Sequence, residues 1–268
     1  MLHRHKMSNG LMYISDMGLV DANKKEEGMQ DYKAVMEFIG QKEREERLNR
    51  ICSLIKRPYT IQAQKPHTGF LYISDNMTDI KNIIIPARDL TKPKIVLTAH
   101  YDNFPGSLGY NDNASGISAL LSIQEIIPDN CEIVFTDYEE KGALGASLYL
   151  EKSEEGSILF NINLDIISIG EYIFQEKYSQ YKYSIKTPEA DKFYSCQNIP
   201  CNDSHAFSCA SVSSILIISN NHDDEYSLVN NVWHYQHNGV YDNNLDKLSE
   251  KSIDKVVSLT LEIIKINS

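Results

Sequence analysis

The sequence has no hydrophobic run long enough to cross a bilayer, because its apolar stretches are only strand-sized. It is also short of basic residues: 26 lysines and arginines stand against 37 aspartates and glutamates, a formal net charge of −11. Phosphate binding needs a concentrated basic face, which this composition does not provide. We therefore expect a protein that binds neither a membrane nor a nucleic acid.

Cysteine is scarce as well, with five in 268 residues and no paired metal-binding spacing. Cys201 and Cys209 are too far apart for a CxxC site. The basic segment Met1–Gly10 lacks the apolar stretch that a signal peptide needs. These features predict reduced thiols and a cytoplasmic location.

Hydrophobic periodicity divides the chain unequally. Residues 1–30 show no clear period and are predicted to form an N-terminal arm or cap, whereas residues 31–268 are predicted to form a single domain. Within that domain, residues 30–56 have apolar positions typical of one amphipathic helix or of a broken pair of helices.

Strands and helices then alternate along the chain. Strands are predicted at 59–62, 70–73, 82–85, 94–98, 132–136, 158–164 and 214–218, and helices begin near Ala114, Leu144 and Ser249. Alternation of this kind implies parallel strands with right-handed crossovers. The predicted fold is α/β, a three-layer sandwich in which helices cover both faces of a mixed, mostly parallel sheet.

Acidic residues and a histidine follow three of these strands directly. His100 and Asp102 follow one strand, Glu139 and Glu140 the next, and Asp165 the third. Singly, each has an ordinary structural explanation, such as a solvated face or a helix N-terminus. Together they would meet at one sheet edge, where clustered carboxylates are costly unless a cation neutralises them.

The donor set indicates which cation. Imidazole nitrogen and carboxylate oxygen without cysteine suit a catalytic zinc ion, although manganese or cobalt also fit. A carboxylate between two ions could bridge them, and a further carboxylate is then needed to move the proton of an activated water. The adjacent pair Glu139 and Glu140 could divide these tasks between metal binding and proton transfer.

Four segments, "TAHYDN", "GYNDNASG", "FTDYEEKGALGAS" and "NINLD", resemble in order the metal-site motifs of one known family. It is the zinc aminopeptidase family, which includes bacterial leucyl aminopeptidases, glutamate carboxypeptidase and glutaminyl cyclase. The resemblance is strong over residues 94–166 and looser over 200–266. It implies that His100 and Asp165 bind a first zinc, Asp112 bridges two ions and Glu140 binds the second.

The resemblance also assigns residues that do not bind metal directly. Glu139 would be the general base and acid, and Asp102 would hold the imidazole of His100 in place. The segment "NDSHAF" resembles one beside the substrate pocket, so Asp203 and His205 could contact substrate or form an ordinary polar turn.

A further histidine ligand is expected before the last helix, where the sequence reads "VWHYQHNGVYDNNLDKLS". We favour His237, which precedes Asp242 by nearly the family spacing. His234 follows Trp233 as in the Trp-His pair of glutaminyl cyclases, so His234 remains the alternative ligand. Trp233 and His234 are also candidates for the substrate pocket.

The resemblance implies a zinc metallopeptidase that removes N-terminal residues from peptides with two zinc ions per chain; its oligomeric state is open. Three alternatives remain: a glutaminyl cyclase-like transferase with one zinc, a metal-dependent deacylase or carboxypeptidase, and a binding module without catalysis. The loop from His100 to Asp112 is shorter than expected in the family, and Pro105, Gly106 and Gly109 would let it turn both residues toward one sheet edge.

Overall fold

The computed structural model describes residues 31–41, 43–65, 78–178, 183–188, 194–195, 202–224, 227–228 and 241–268. The predicted arm or cap at residues 1–30 and the predicted strand at 70–73 lie outside these ranges. The division of the chain at residue 30 therefore stays a prediction.

The described strands form one eight-stranded sheet in the order β1-β2-β4-β3-β5-β8-β6-β7. Their bounds are β1 Thr60–Gln64, β2 Ile80–Ile85, β3 Lys94–His100, β4 Cys131–Thr136, β5 Ile158–Leu164, β6 Tyr172–Tyr178, β7 Tyr194–Ser195 and β8 Ser214–Asn220. The four central strands, β4, β3, β5 and β8, are parallel, while β2 and β6 flank them in antiparallel orientation. The sheet is therefore mixed and mainly parallel at its centre, as predicted.

The central strands are apolar on both faces because helices cover both. In β3, Ile95, Leu97 and Ala99 enter the larger core cluster, whereas Val96 points into a second cluster on the opposite face with Val134. Alternate side chains of a strand point to opposite faces, so one short run supplies two cores.

Six α-helices have both bounds within the described ranges: α1 Tyr32–Ile39, α2 Arg44–Leu54, α3 Ser115–Ile123, α4 Leu144–Glu151, α5 Asp203–Cys209 and α6 Glu250–Asn267. Helices α1, α3 and α6 pack against one another beside one face, and α4 packs with α5 beside the other. This confirms the three-layer sandwich. No helix in the described part of the chain is both long and apolar enough to traverse a bilayer.

Local sequence explains the helix boundaries. The region 30–56 forms the broken pair rather than one helix, with the break at Gly40, where an added Cβ would lie 2.2 Å from the ring of Tyr110. Helix α6 begins after Ser249, whose hydroxyl accepts a hydrogen bond from the amide of Ser252 at 3.2 Å.

Candidate metal centre

The parallel strands deliver the predicted ligands to one edge of the sheet. His100 is the last residue of β3 and pairs in register with Thr136, the last residue of β4. Asp165 directly follows β5, whose register with β3 brings its end to the same edge. The hydrophobic strands thus determine where these polar side chains emerge.

Three buried side chains converge there. Nε2 of His100 lies 2.8 Å from Oδ1 of Asp112 and 3.4 Å from Oδ1 of Asp165. One ligand atom from each residue lies within 4.8 Å of the others. Tetrahedral zinc, with bonds of about 2.0–2.1 Å, holds its ligand atoms about 3.3 Å apart. These spacings are close to those that one zinc ion would require.

The polar atoms of this cluster lack other partners. Nε2 of His100 and Oδ1 of Asp165 are buried and form no hydrogen bond within the described structure. On the other side of the ring, Nδ1 of His100 lies 3.1 Å from the carbonyl oxygen of Asp102. A proton on Nδ1 leaves Nε2 with a lone pair, which is the state that binds a metal. The residues present therefore fit a zinc ion.

The electrostatics of the cluster agree with this. Burial disfavours the imidazolium of His100, but the nearby carboxylates of Asp165, Asp102 and Asp112 outweigh it and raise its pKa well above the ordinary value. Burial also raises the pKa of Asp165, although the imidazole opposes the shift. Without a cation, these carboxylates can shed their charge only by binding protons, so a divalent ion is the natural neutralising partner.

Glu139 and Glu140 lie in a short helical turn, Glu139–Lys141, just after β4. Asp102 fixes this turn from the neighbouring strand: its Oδ1 accepts the amide of Glu139 at 2.9 Å and its Oδ2 that of Glu140 at 3.1 Å. Oδ1 of Asp102 is also 3.4 Å from Nδ1 of His100. One carboxylate thus connects the predicted base, the predicted second ligand and the imidazole.

Glu140 is the predicted ligand of the second zinc ion. Its Oε1 is buried and has no hydrogen-bond partner in the described structure. Burial, together with the charge of Asp112, raises the pKa of Glu140 to about 9. A cation beside Asp112 would therefore stabilise the ionised carboxylate of Glu140.

Asp137, which sequence reasoning missed, is buried two residues before the turn Glu139–Lys141. Its carboxylate forms an ion pair with Arg44 of α2 and accepts the amide of Lys81 at 2.7 Å. The guanidinium of Arg44 also lies 4.4 Å from the centre of the Tyr138 ring. The pair anchors the residues just before Glu139 to α2 and β2.

A second missed residue, Asp242, holds the segment that carries Asp112. Its Oδ1 accepts the amide of Asp112 at 2.9 Å, and its Oδ2 accepts the hydroxyl of Ser107 at 3.2 Å. Its carbonyl oxygen accepts the amide of Tyr110 at 3.1 Å. Sequence reasoning used Asp242 only as a spacing marker, and only the fold shows that it supports Asp112.

Asp203 and His205 have separate environments on α5. Asp203 is buried, and Thr136 donates a short hydrogen bond to its Oδ2, while its Oδ1 has no partner in the described structure. Burial raises the pKa of Asp203 to about 7. His205 is exposed and its ring lies 6.0 Å from that of Tyr178. The charges of His100 and Asp165 also act on the pKa of Asp203, the first lowering it and the second raising it.

The remaining predicted residues, Trp233, His234 and His237, lie outside the described ranges. The choice between His234 and His237 therefore stays a prediction.

The sequence also matches a known family over most of this region. The model of peptidase family M28 aligns with residues 82–263, which include every ligand of the described cluster. This chain belongs to peptidase family M28. Membership confirms the resemblance to the zinc aminopeptidases that the four motifs indicated.

Individual relatives of this M28 chain agree with that assignment. It is 37% identical to the aminopeptidase YwaD of Bacillus subtilis over 103 residues, which make up 35% of this chain. In that match it spans only 22% of the length of the curated relative.

Solved structures share the fold. A leucine aminopeptidase precursor from Bacteroides thetaiotaomicron superimposes with a TM-score of 0.65 and 20% identity, covering 87% of this M28 chain and 96% of that one. A glutaminyl cyclase from Porphyromonas gingivalis gives 0.64 and 16%, covering 89% and 99%. At such identities the comparisons establish a common architecture, which peptidases and cyclases share.

Proposed function

We propose that this chain is a zinc-dependent aminopeptidase that removes N-terminal residues from peptides. The observation that carries the proposal is the convergence of His100, Asp112 and Asp165 at spacings close to those that zinc requires. Among the described residues, the buried Nε2 of His100 and Oδ1 of Asp165 have no hydrogen-bond partner. Membership of family M28 supports a metal-dependent peptidase, and the Bacillus relative supports the choice of aminopeptidase.

Two ions are proposed for the site. His100, Asp112 and Asp165 would hold the first, while Asp112 and Glu140 would hold the second together with His237. The Oε1 of Glu140, which is buried and has no hydrogen-bond partner among the described residues, supports this second position. So does its pKa, which burial and the charge of Asp112 raise.

Zinc, when bound, would supply the charge that polarises the scissile carbonyl and acidifies a water. The protein's own contribution to proton transfer comes from Glu139. Burial raises the pKa of Glu139 well above its ordinary value, which favours a carboxyl that takes a proton from water and returns it to the leaving amine. Asp102 holds the amide of Glu139 and so fixes the base relative to the ligands.

The free amino group of the substrate requires an anionic partner. We propose Asp203 for this contact, because its Oδ1 is buried without a hydrogen-bond partner in the described structure. An ammonium group beside it would offset the burial that raises its pKa to about 7. A protonated amine is a cation, and the acidic chain, with a net charge of −11, would favour its approach.

The proposal is tested by a pair of neighbouring variants. Glu139→Gln is expected to keep bound zinc but to lower turnover of a leucine-initiated peptide by about 100- to 10,000-fold, the usual contribution of a general base. Glu140→Gln is expected to lower both turnover and zinc content. Zinc per chain is measured by mass spectrometry, and equal loss of zinc and turnover in Glu139→Gln would contradict its role as base.

A glutaminyl cyclase-like transferase is the second candidate, because the Porphyromonas cyclase shares the fold over nearly its whole length. That function would use one zinc ion and would cyclise a glutamine-initiated peptide. Two zinc ions per chain and preferential cleavage of the leucine-initiated peptide support the aminopeptidase. Cleavage of an N-acetylated substrate instead would favour a deacylase or carboxypeptidase.

A further inference from the structure

Arg47 is a fully buried arginine in α2, outside the predicted and described metal-site residues. It lies four residues before Ile51 and beside Leu48, so an arginine occupies the apolar stripe of this helix. Arginine is rarely buried completely unless its charge is paired. Within the described parts of the chain, however, Arg47 forms hydrogen bonds only to backbone carbonyls and no ion pair.

These carbonyls belong to the two ends of one loop. Nε of Arg47 donates to the carbonyl of Tyr101 at 2.6 Å, and Nη1 donates to that of Leu108 at 2.7 Å. Nη1 also lies 3.5 Å from the carbonyl of Gly109. The loop between these points begins with Asp102, and Asp112 follows it three residues after Gly109. One planar side chain therefore joins the two ends of the segment that separates these carboxylates.

At the Gly109 end of the loop, the backbone lies very close to the guanidinium of Arg47. Gly109 has a φ of 63°, in the left-handed region that favours glycine. A Cβ at this position would lie 2.8 Å from Nη1 of Arg47 and 2.7 Å from the carbonyl oxygen of Asp112. The absence of a side chain at Gly109 is therefore what allows the guanidinium to reach the loop.

Arg47 also brings positive charge close to several carboxylates of the metal centre. Burial, the largest influence, lowers its pKa to about 10, while the charges of Asp102, Asp242 and Asp112 oppose this shift. Arg47 is thus a cation at neutral pH. Its charge offsets part of the repulsion among these carboxylates.

We propose that Arg47 is a positioning residue of the metal centre, which ties the ends of the short loop together so that Asp102 and Asp112 stand in place for zinc. The inference rests on the zinc site of the proposed function. It predicts that zinc affinity depends on a side chain that acts through backbone carbonyls rather than through the ion. Loss of groups that orient metal ligands typically costs about 10- to 100-fold in affinity.

The test uses the full chain with Arg47→Met and Arg47→Lys. Zinc is removed with a chelator, and its dissociation constant is measured by competition with a zinc-sensitive dye. Arg47→Met is expected to weaken binding by about 10- to 100-fold. Arg47→Lys keeps the charge but cannot donate in a fork to two carbonyls, so its loss should be smaller but measurable.

Arg50→Met is the matched control in the same helix. Arg50 donates to the carbonyl of Phe38 at 2.6 Å and pairs with Glu46, and within the described structure it forms no hydrogen bond or ion pair with the loop. Its removal should lower thermal stability without changing the zinc dissociation constant. This separates a positioning effect from general destabilisation.

Unchanged zinc affinity in both Arg47 variants, with normal binding by the wild-type chain, would overturn the inference and leave the proposed function intact. If Arg47→Met does not fold, as judged by circular dichroism, Arg47→Lys alone decides: wild-type affinity overturns the inference, and weakened affinity supports it. A wild-type chain that binds no zinc would instead overturn the proposed function and, with it, the inference.

Discussion

The substitution Asp102→Asn tests how the turn with the two glutamates is held. The carboxylate accepts the amides of Glu139 and Glu140 at 2.9 and 3.1 Å, one on each oxygen. Asparagine keeps one acceptor oxygen and turns an NH₂ group toward the second amide. The backbone carbonyl oxygen of residue 102 lies closer to Nδ1 of His100 than its carboxylate does, at 3.1 against 3.4 Å, and the substitution leaves this carbonyl in place.

The magnitude follows from the lost hydrogen bond. A bond to a charged group contributes about 1.5–3 kcal/mol, and one of the two is removed. At 1.36 kcal/mol for each factor of ten, this corresponds to about a 10- to 150-fold loss in a process that depends on the turn. Because Glu139 is the proposed base, we expect the loss mainly in turnover, with zinc retained at the site of His100.

The assay is kcat/KM for leucine 4-nitroanilide at saturating zinc, together with zinc content by mass spectrometry. The matched control is Asp89→Asn. The carboxylate of Asp89 also accepts two hydrogen bonds, from the amide and hydroxyl of Thr91 at 2.9 and 2.6 Å, but in a solvent-exposed turn. The control should retain wild-type kinetics. If Asp102→Asn stays within twofold of the wild type, or if it loses zinc in proportion to activity, the reasoning is refuted.

Two further predictions concern stability. In the zinc-free chain, burial raises the pKa of Asp242 to about 8 and that of Asp203 to about 7, so the folded state holds protons that the unfolded chain releases above about pH 4. The free energy of unfolding contributed by these groups should therefore fall as pH rises from 5 to 8, by at most about 1.4 kcal/mol per pH unit for each group. Urea titrations of zinc-free wild type and Asp242→Asn measure this; equal slopes in the two proteins would contradict it. Arg44→Met should lower the free energy of unfolding by about 3–5 kcal/mol, because it leaves the buried carboxylate of Asp137 without its ion-pair partner. Arg88→Met removes an exposed ion pair and should lower it by less than about 1 kcal/mol. Similar losses of unfolding free energy in both variants would contradict the prediction that the buried pair stabilises the fold more than the exposed one.

Sequence patterns predicted the centre of the fold well and its periphery less well. The apolar run 158–164 and the punctuation around it mark β5 with correct bounds. By contrast, β6, Tyr172–Tyr178, went unpredicted because Gln175, Glu176 and Lys177 interrupt its apolar character. Its place in the sheet comes from antiparallel pairing with β8, about forty residues further along the chain.

By itself, the sequence determined that His100 and Asp165 come at or just after the ends of two apolar strands, because hydrophobic runs and the residues that follow them are local features. The alternation of strands and helices then indicated that these strand ends share one edge of the sheet. It also determined the family, through motifs of consecutive residues. Only the tertiary structure decided what holds the ligands in place. Arg47 reaches a carbonyl 54 positions away, and Asp242 an amide 130 positions away. No local pattern records such contacts, because a buried charge at those positions is tolerated only once distant backbone groups surround it.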